Sequence, residues 1–524
     1  MMKDDVYDQF VLLNQLHRIR SAKVGSCDTL LKQIKSSKVT GSNFQISISL
    51  AQQLISYKFN SHLIYKLALS KVQNKKAIAP IPRKLLINFR LASFKISSVS
   101  IVINFFHDLL LVFRSFMLLA TNLFGSRSRK LGDLIREKKS EGYTVVMLNP
   151  SFPKGDIYSE ELEFNFINWH RKKLATKVCY IHFNEDYADK EIVFKNSKVS
   201  IIYAKKLEFN VKFYLLFKLF INCILVFIRG GNKVPGKFFS ILKIIDQVVL
   251  AEKIKLTTKD RLPEVIVFGD NHGVLQPYWT YSLQEKNVQI HYYFFSSYDS
   301  PIVVKNEDPR IDFWKLNSWP KIYCVDDYQA RFIDSHKVSS KQQVIISGFP
   351  DFSDYPIQLD YLDRRFKMAV FDYEPAVGHF GYSSINDCGY HTFLSNQLFI
   401  GLLYEMAKNL NIVMMHKPKR LYLDGQRDRN YSKYLKTLDT TFYRSIDPRV
   451  SPRRIIGWSD ITISKPITST AFIAKEAFKK SIFFDPIGKV SQNDPALRDL
   501  TLLSNINDLS EYIKNQVLLK QSGR

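Results

Sequence analysis

Two short stretches of the chain concentrate groups suited to holding an anion. In VMMHKPKR, residues 413–420, an apolar run ends in His416, Lys417, Lys419 and Arg420, up to four hydrogen-bond donors within five positions, which contact a phosphate or else form a solvated basic loop. In WSDITISKPITSTAFIAKEAF, residues 458–478, Ser464, Thr468, Ser469 and Thr470 surround Pro466, between a β-branched run and a helical pattern. Proline ends the strand because it has no N–H for the ladder. Thr468 and Ser469 are residue types that cap the helix behind it, and that helix's first amides and dipole favour negative charge. The hydroxyls of Ser469 and Thr470 beside those amides make a phosphate cradle without a glycine-rich loop, or else an ordinary helix cap. Glu476, two turns further on, is either an acceptor for a ribose diol or an exposed helix charge.

Further candidates lie at other strand ends. FDYEP, residues 371–375, offers Asp372, Tyr373 and Glu374, which border a nucleotide or form a turn. FGDNHG, residues 268–273, follows a strongly apolar run and offers Asp270 and His272 as a general base, or as an Asx-turn and a loop histidine. Asp299 in SSYDSP is a weaker candidate. The chain has no Asp-x-Asp pair, only Asp372-x-Glu374, so the expectation is metal-independent chemistry in which amides, histidine and lysine meet the phosphate charge. No permanently bound cofactor is expected.

These residues need strand ends to carry them. Seven β-rich runs, at 143–150, 177–183, 199–207, 264–272, 288–296, 321–327 and 343–351, alternate with longer segments. They are apolar on both faces, the pattern of a parallel sheet covered by helices. SGFPDFSDYP, residues 347–356, is turn-rich and suits a linker. The alternation then restarts: strands at 367–373, 411–418, 461–466 and 481–486, with helices at 392–409, 451–460 and 468–480. A closing helix is expected over 507–521, capped by Asn507 or Asp508. Adjacent strand ends should bring His416 and the hydroxyl cluster to one crevice. There is no internal repeat, G-x-G-x-x-G or P-loop pattern.

The segment GWSDITISKPITSTAFIAKEAFKKSIFFDP, with IVMMHKPK and VIISGFPDFSDY upstream of it, resembles three ordered blocks of the CDP-glycerol glycerophosphotransferases. Bacterial sialyltransferases and Kdo transferases, which use CMP-sugars, have a similar histidine-proline and hydroxyl arrangement. PITS, residues 466–469, stands where the bacterial polysaccharide biosynthesis PFTS motif group has its motif, the nearest likeness. The resemblance covers roughly residues 343–490 and implies a GT-B-like α/β fold, with two Rossmann-like domains facing a cleft. It also implies that His416 contacts a donor phosphate, that Ser469 and Thr470 bind it from the helix start, and that Glu476 faces the ribose. A glycosyltransferase using a nucleotide-activated, CMP- or CDP-type sugar follows as the expectation, with CDP-polyol phosphate transfer as the alternative.

A chain of 524 residues with 46% hydrophobic content supports two domains and an extension. The expected divisions are a basic helical region over 1–135, an acceptor domain over 140–350, a donor domain over 351–505 and a closing helix over 506–524. The net charge of +26 calls for an anionic partner, and the first 130 residues hold 20 Lys or Arg against 5 Asp or Glu. Within them, residues 101–124 are apolar but carry His107, Asp108 and Arg114. Two charges near a bilayer centre cost about 2.5–3.5 kcal/mol each, which favours a helix lying on a membrane surface or packed on a domain over one that spans. Residues 213–228 read the same way. A nucleic-acid-binding or non-catalytic assembly protein is the reading from another class, but no nucleic-acid motif occurs and the basic residues sit beside apolar helices. Cys27, Cys179, Cys223, Cys324 and Cys388 form no metal or redox spacing, and the first thirty residues show no signal-peptide pattern. The expectation is a reduced, cytoplasmic protein, peripheral on the inner face of the membrane, meeting a glycan or lipid-linked acceptor.

Overall fold

The computed structural model describes residues 143–148, 178–183, 191–193, 200–204, 245–269, 276–294, 316–348, 364–373, 375, 392–418, 429–448, 450–466 and 468–522, with isolated positions at 32, 99, 117, 135, 136 and 221. The apolar segments 101–124 and 213–228, the linker beyond Gly348, and Asp270, His272, Asp299, Glu374, Lys419 and Arg420 lie outside the described residues, apart from positions 117 and 221. No helix among the described residues is long and apolar enough to cross a membrane.

The first sheet has eight strands: β1 (Tyr143–Leu148), β2 (Val178–Phe183), β3 (Glu191–Val193), β4 (Ser200–Ala204), β5 (Val265–Gly269), β6 (Gln289–Tyr293), β7 (Lys321–Cys324) and β8 (Gln343–Ile346). Their order is β3-β4-β2-β1-β5-β6-β7-β8, parallel throughout except that β3 runs against β4. Helices α1 (Ile245–Leu256), α2 (Trp279–Glu285) and α3 (Asp327–Asp334) accompany it. Continuous β-branched and aromatic runs such as VIVFG in β5 suit a strand covered on both faces, and four of its five residues are buried.

The second sheet contains β9 (Lys367–Phe371), β10 (Val413–His416), β11 (Tyr443–Ser445), β12 (Ile461–Ser464), β13 (Ser481–Phe484) and β14 (Thr501–Leu503). It is all parallel, in the order β11-β10-β9-β12-β13-β14. Counted within this half the order is 3-2-1-4-5-6, that of a doubly wound dinucleotide-binding sheet, and its direction reverses between β9 and β12. Helices α4 (Phe393–Asn409), α5 (Arg429–Leu435), α6 (Pro452–Trp458), α7 (Ser469–Glu476) and α8 (Ile506–Gln521) connect and close it.

Period-two alternation assigns the faces. Met368, Val370, Met414, Ile461, Ile463, Ile482 and Phe484 share a core with Phe399 and Leu403 of α4, Tyr431 of α5 and Leu509 of α8. Ala369, Phe371, Val413 and Met415 point the other way, against Ile455 and Ile456 of α6 and Ala474 of α7. Asp460 fixes the start of β12: it accepts from the Lys367 amide at 2.7 Å and pairs with Lys520 of α8 at 2.7 Å. The cap of α8 is Asn505, whose side chain accepts from the Asn507 amide at 2.9 Å. This corrects the expected cap, since Asn507 and Asp508 already lie in the first helical turn.

The two halves share apolar packing. Tyr373, Phe472, Phe483 and Leu497 belong to the same buried cluster as Val325, Ala330 and Ile333 around α3. Arg498 crosses between them, pairing with Asp326 and donating a hydrogen bond to it at 3.2 Å. Its guanidinium lies 4.9 Å from the Tyr328 ring centroid and 4.5 Å from that of Phe472. Asp326 also caps α3 by accepting from the Gln329 amide.

Candidate functional site

At the reversal between β9 and β12, α4 leaves on one face of the sheet and α7 begins on the other. The C-terminal ends of these strands therefore border a crevice, the position at which open α/β sheets bind ligands. Continuing the alternation past the strand ends puts Asp372 after Val370, His416 after Met414, and Lys465 after Ile463. All three face α4 and α5. Tyr373, Lys417 and Ser464 fall on the α6 and α7 face.

On the first face His416, Asp372 and Lys465 form a buried polar group. Nε2 of His416 lies 3.2 Å from Asp372 Oδ2, at ion-pair distance but without the alignment of a hydrogen bond, and both side chains are fully buried. Nδ1 of His416 is 2.8 Å from the Tyr443 hydroxyl. The Tyr431 hydroxyl, on α5, donates to the same Oδ2. Burial pushes the Asp372 carboxyl up, but the charge and contact of His416, the Tyr431 hydrogen bond and the charge of Lys465 outweigh it, holding the carboxyl below its usual range. Asp372 Oδ1 is buried without a hydrogen-bond partner among the described residues.

Lys465 is fully buried, and its ammonium donates to Ser395 Oγ at 2.9 Å and Asn396 Oδ1 at 2.8 Å. Both acceptors lie in the first turn of α4, capped by Thr392. A cation there opposes the helix dipole, and burying it costs several kcal/mol unless oxygens and a countercharge meet it. Asn396 donates onward to the Tyr373 carbonyl at 3.0 Å, and the Tyr373 hydroxyl donates to the Pro466 carbonyl at 2.6 Å. Lys465 from β12 thus reaches α4, while Tyr373 from β9 holds the turn that leads to α7.

The hydroxyl cluster lies on the other face. Thr468 occupies the N-cap of α7 with extended backbone, yet its hydroxyl donates to the Lys465 carbonyl at 2.8 Å and makes no cap hydrogen bond. Thr470 Oγ1 is 3.1 Å from Ser464 Oγ and 3.4 Å from Thr468 Oγ1. Ser469 and Thr470 are half-buried at the start of α7, and Glu476 is exposed at its end. Lys417 is buried, with its ammonium 3.2 Å from the Pro418 carbonyl.

The structure therefore brings Asp372 and His416 together and sets Ser464, Thr468 and Thr470 together, on opposite faces of one sheet. Sequence reasoning passed over Lys465, Ser395, Asn396, Tyr431 and Tyr443. Only Lys465 carried a signal, a lysine between an apolar strand and Pro466. The described residues contain no cluster of three or more metal-ligating side chains.

Fold and site together define a two-sheet α/β protein with polar side chains gathered at the switch point of its second sheet. The chain belongs to the polysaccharide biosynthesis PFTS motif protein family, whose profile matches residues 215–513. No curated protein matches its sequence. Among solved structures it is similar to trehalose-6-phosphate synthase OtsA, at 11% identity and a TM-score of 0.38, covering 72% of this chain and 91% of that one. A UDP-GlcNAc 2-epimerase from Neisseria meningitidis bound to UDP-GlcNAc gives 11% identity and a TM-score of 0.39, covering 72% and 92%. Anabaena Alr3699/HepE in complex with UDP-glucose gives 10% and 0.37, covering 72% and 90%.

Proposed function

We propose that the protein is a glycosyltransferase of bacterial surface polysaccharide synthesis. It takes a sugar from a nucleotide-activated donor, CMP- or CDP-linked, and passes it to a glycan acceptor at the cytoplasmic face of the membrane. The observation that carries this reading is the switch point itself. The start of α7, with Ser469 and Thr470 half-buried, follows the C-terminal end of β12, so free helix amides and hydroxyls stand where an open α/β sheet takes an anionic ligand.

On this reading the donor phosphate sits at the start of α7, where the first amides and the hydroxyls of Ser469 and Thr470 donate to it. Negative charge grows on that phosphate as the glycosidic bond breaks, so donors fixed before reaction stabilise the transition state more than the ground state. Tyr373 and Lys465 hold the turn that carries these donors, and His416 with Asp372 forms the base on which β9 and β10 end. Glu476, the expected ribose contact, is the last residue of α7 and lies at the far end of the helix from the phosphate, so it takes no part in the donor site; Asp270 or His272 takes the acceptor hydroxyl's proton. Membership of a polysaccharide biosynthesis family supports the substrate class.

The test is stabilisation of the full-length protein by CMP, CDP, UDP and GDP. A nucleotide present at 100 times its dissociation constant raises stability by about 2.7 kcal/mol. The expected result is a shift with a cytidine nucleotide that Ser469→Ala reduces. A shift with none of the four overturns the reading.

A further inference from the structure

Helix α7 ends at Glu476 with Ala477 as its C-cap, and the chain turns into β13 through Phe478, whose φ of 55° is left-handed. The Phe478 amide donates to the Lys475 carbonyl at 3.0 Å and the Lys479 amide to the Ala474 carbonyl at 2.9 Å, so the turn is a regular helix closure. Glycine is the residue this position favours, because a Cβ there crowds the backbone. The Phe478 side chain is nevertheless 98% exposed. Scattered exposed apolar residues are ordinary, but this one satisfies neither the backbone nor the core. For folding alone glycine is the better choice.

Its surroundings are basic. Lys479 and Lys480 follow it directly, Lys475 precedes it with its ammonium donating to the Arg498 carbonyl at 2.6 Å, and Glu476 is the acidic side chain of the turn. The Lys480 ammonium meets the Gln516 side chain, which brings the last turns of α8 alongside. Leu519, one turn beyond Gln516 on the same side, is 41% exposed, and Leu518 is 53% exposed.

Resting on the proposed action at a membrane face, we infer that this end of the second sheet, where β13 begins and opposite the crevice, is a contact surface for an anionic lipid bilayer. An exposed aromatic followed by Lys479 and Lys480, with exposed leucines on the end of α8 that Lys480 reaches, would place apolar side chains at the acyl boundary and ammonium groups at the lipid phosphates. A second copy of the chain would set lysine against lysine. A nucleic acid would engage the lysines and leave the leucines unused. The strands of this sheet have about four residues at roughly 3.3 Å each, so the bilayer would lie some 13 Å or more from the crevice.

The experiment is co-sedimentation of the full-length protein with phosphatidylcholine vesicles, with and without phosphatidylglycerol. Phe478→Gly suits the backbone of the turn, so its melting temperature stays the same or rises. Its binding to phosphatidylglycerol vesicles should fall about tenfold, the loss expected for one phenylalanine removed from the interface. A Lys479→Glu, Lys480→Glu double variant should bind more weakly and with less salt dependence. Binding of Phe478→Gly at the wild-type level overturns the proposal. So does a Phe478→Gly defect in self-association or RNA binding with vesicle binding intact, which would assign the patch to a protein or nucleic-acid partner.

Discussion

The Asp372 carboxylate, just beyond the end of β9, lies 3.2 Å from Nε2 of His416 at the end of β10, with neither side chain reached by water. Removing one member of such a pair leaves the other buried without its countercharge, at a cost of about 3–5 kcal/mol. Asp372→Asn is expected to lower unfolding free energy toward the small end of that range, because the amide keeps the shape and the Tyr431 hydroxyl contact. Urea denaturation measures it. The double variant Asp372→Asn, His416→Asn should lose less than the sum of the single losses; simple additivity would show that the two groups do not interact.

The same carboxyl predicts an acid limb of stability. Burial raises Asp372, and His416, Tyr431 and Lys465 more than reverse that, so its folded-state value is depressed. The unfolded chain, with an ordinary carboxyl near 3.9, then binds more protons than the folded one as the pH falls. The stabilisation is complete above about pH 5 and disappears as the pH drops through the folded-state value. Urea midpoints measured from pH 6 to pH 3 should fall less steeply for Asp372→Asn than for the wild type.

Much of this site was legible as strand ends, because β9, β10 and β12 are apolar runs broken by polar or proline residues. The face each terminal residue takes was also present in the alternation: Val370 to Asp372, Met414 to His416 and Ile463 to Lys465 each step by two. The partners were not legible. Ser395 and Asn396 lie about 70 residues from Lys465, and their docking depends on how α4 settles on the sheet, which no local pattern encodes. β11 and β14 are three-residue strands, YRS and TLL, too short for alternation to appear. The expected convergence of His416 with the hydroxyl cluster treated strand ends as points and overlooked the two sides of the sheet.

Arg498 should couple the two halves. Its guanidinium pairs with Asp326 and packs on Tyr328 and Phe472, and its side chain is only 12% exposed. Asp326 would remain as the cap of α3 without its countercharge. Arg498→Ala is expected to lower stability by about 2 kcal/mol, between the values for surface and fully buried pairs. Calorimetry should show the unfolding transition broadening or dividing as each half loses its neighbour. A sharp transition at the wild-type temperature would mean that the apolar contacts around α3 suffice.

Lys465 gives the most direct test of how the crevice is built. Lys465→Met keeps the length of the side chain and removes the ammonium, so Ser395 and Asn396 lose a donor and Asp372 loses one of the charges that hold it ionised. A stability loss of about 2 kcal/mol is expected from those stranded groups. Nucleotide affinity should fall by about tenfold, since a charge of this kind acts over several ångströms in a poorly solvated site. Ser469→Ala, which is half-exposed and touches none of that network, should weaken the nucleotide by a similar factor, the value of one hydrogen bond to a charged phosphate, with the melting temperature of the free protein unchanged. Calorimetric titration with a cytidine nucleotide, paired with the melting temperature of each free variant, separates the two. If Lys465→Met alters stability alone, the ammonium is a tie between β12 and α4 and adds nothing to anion binding.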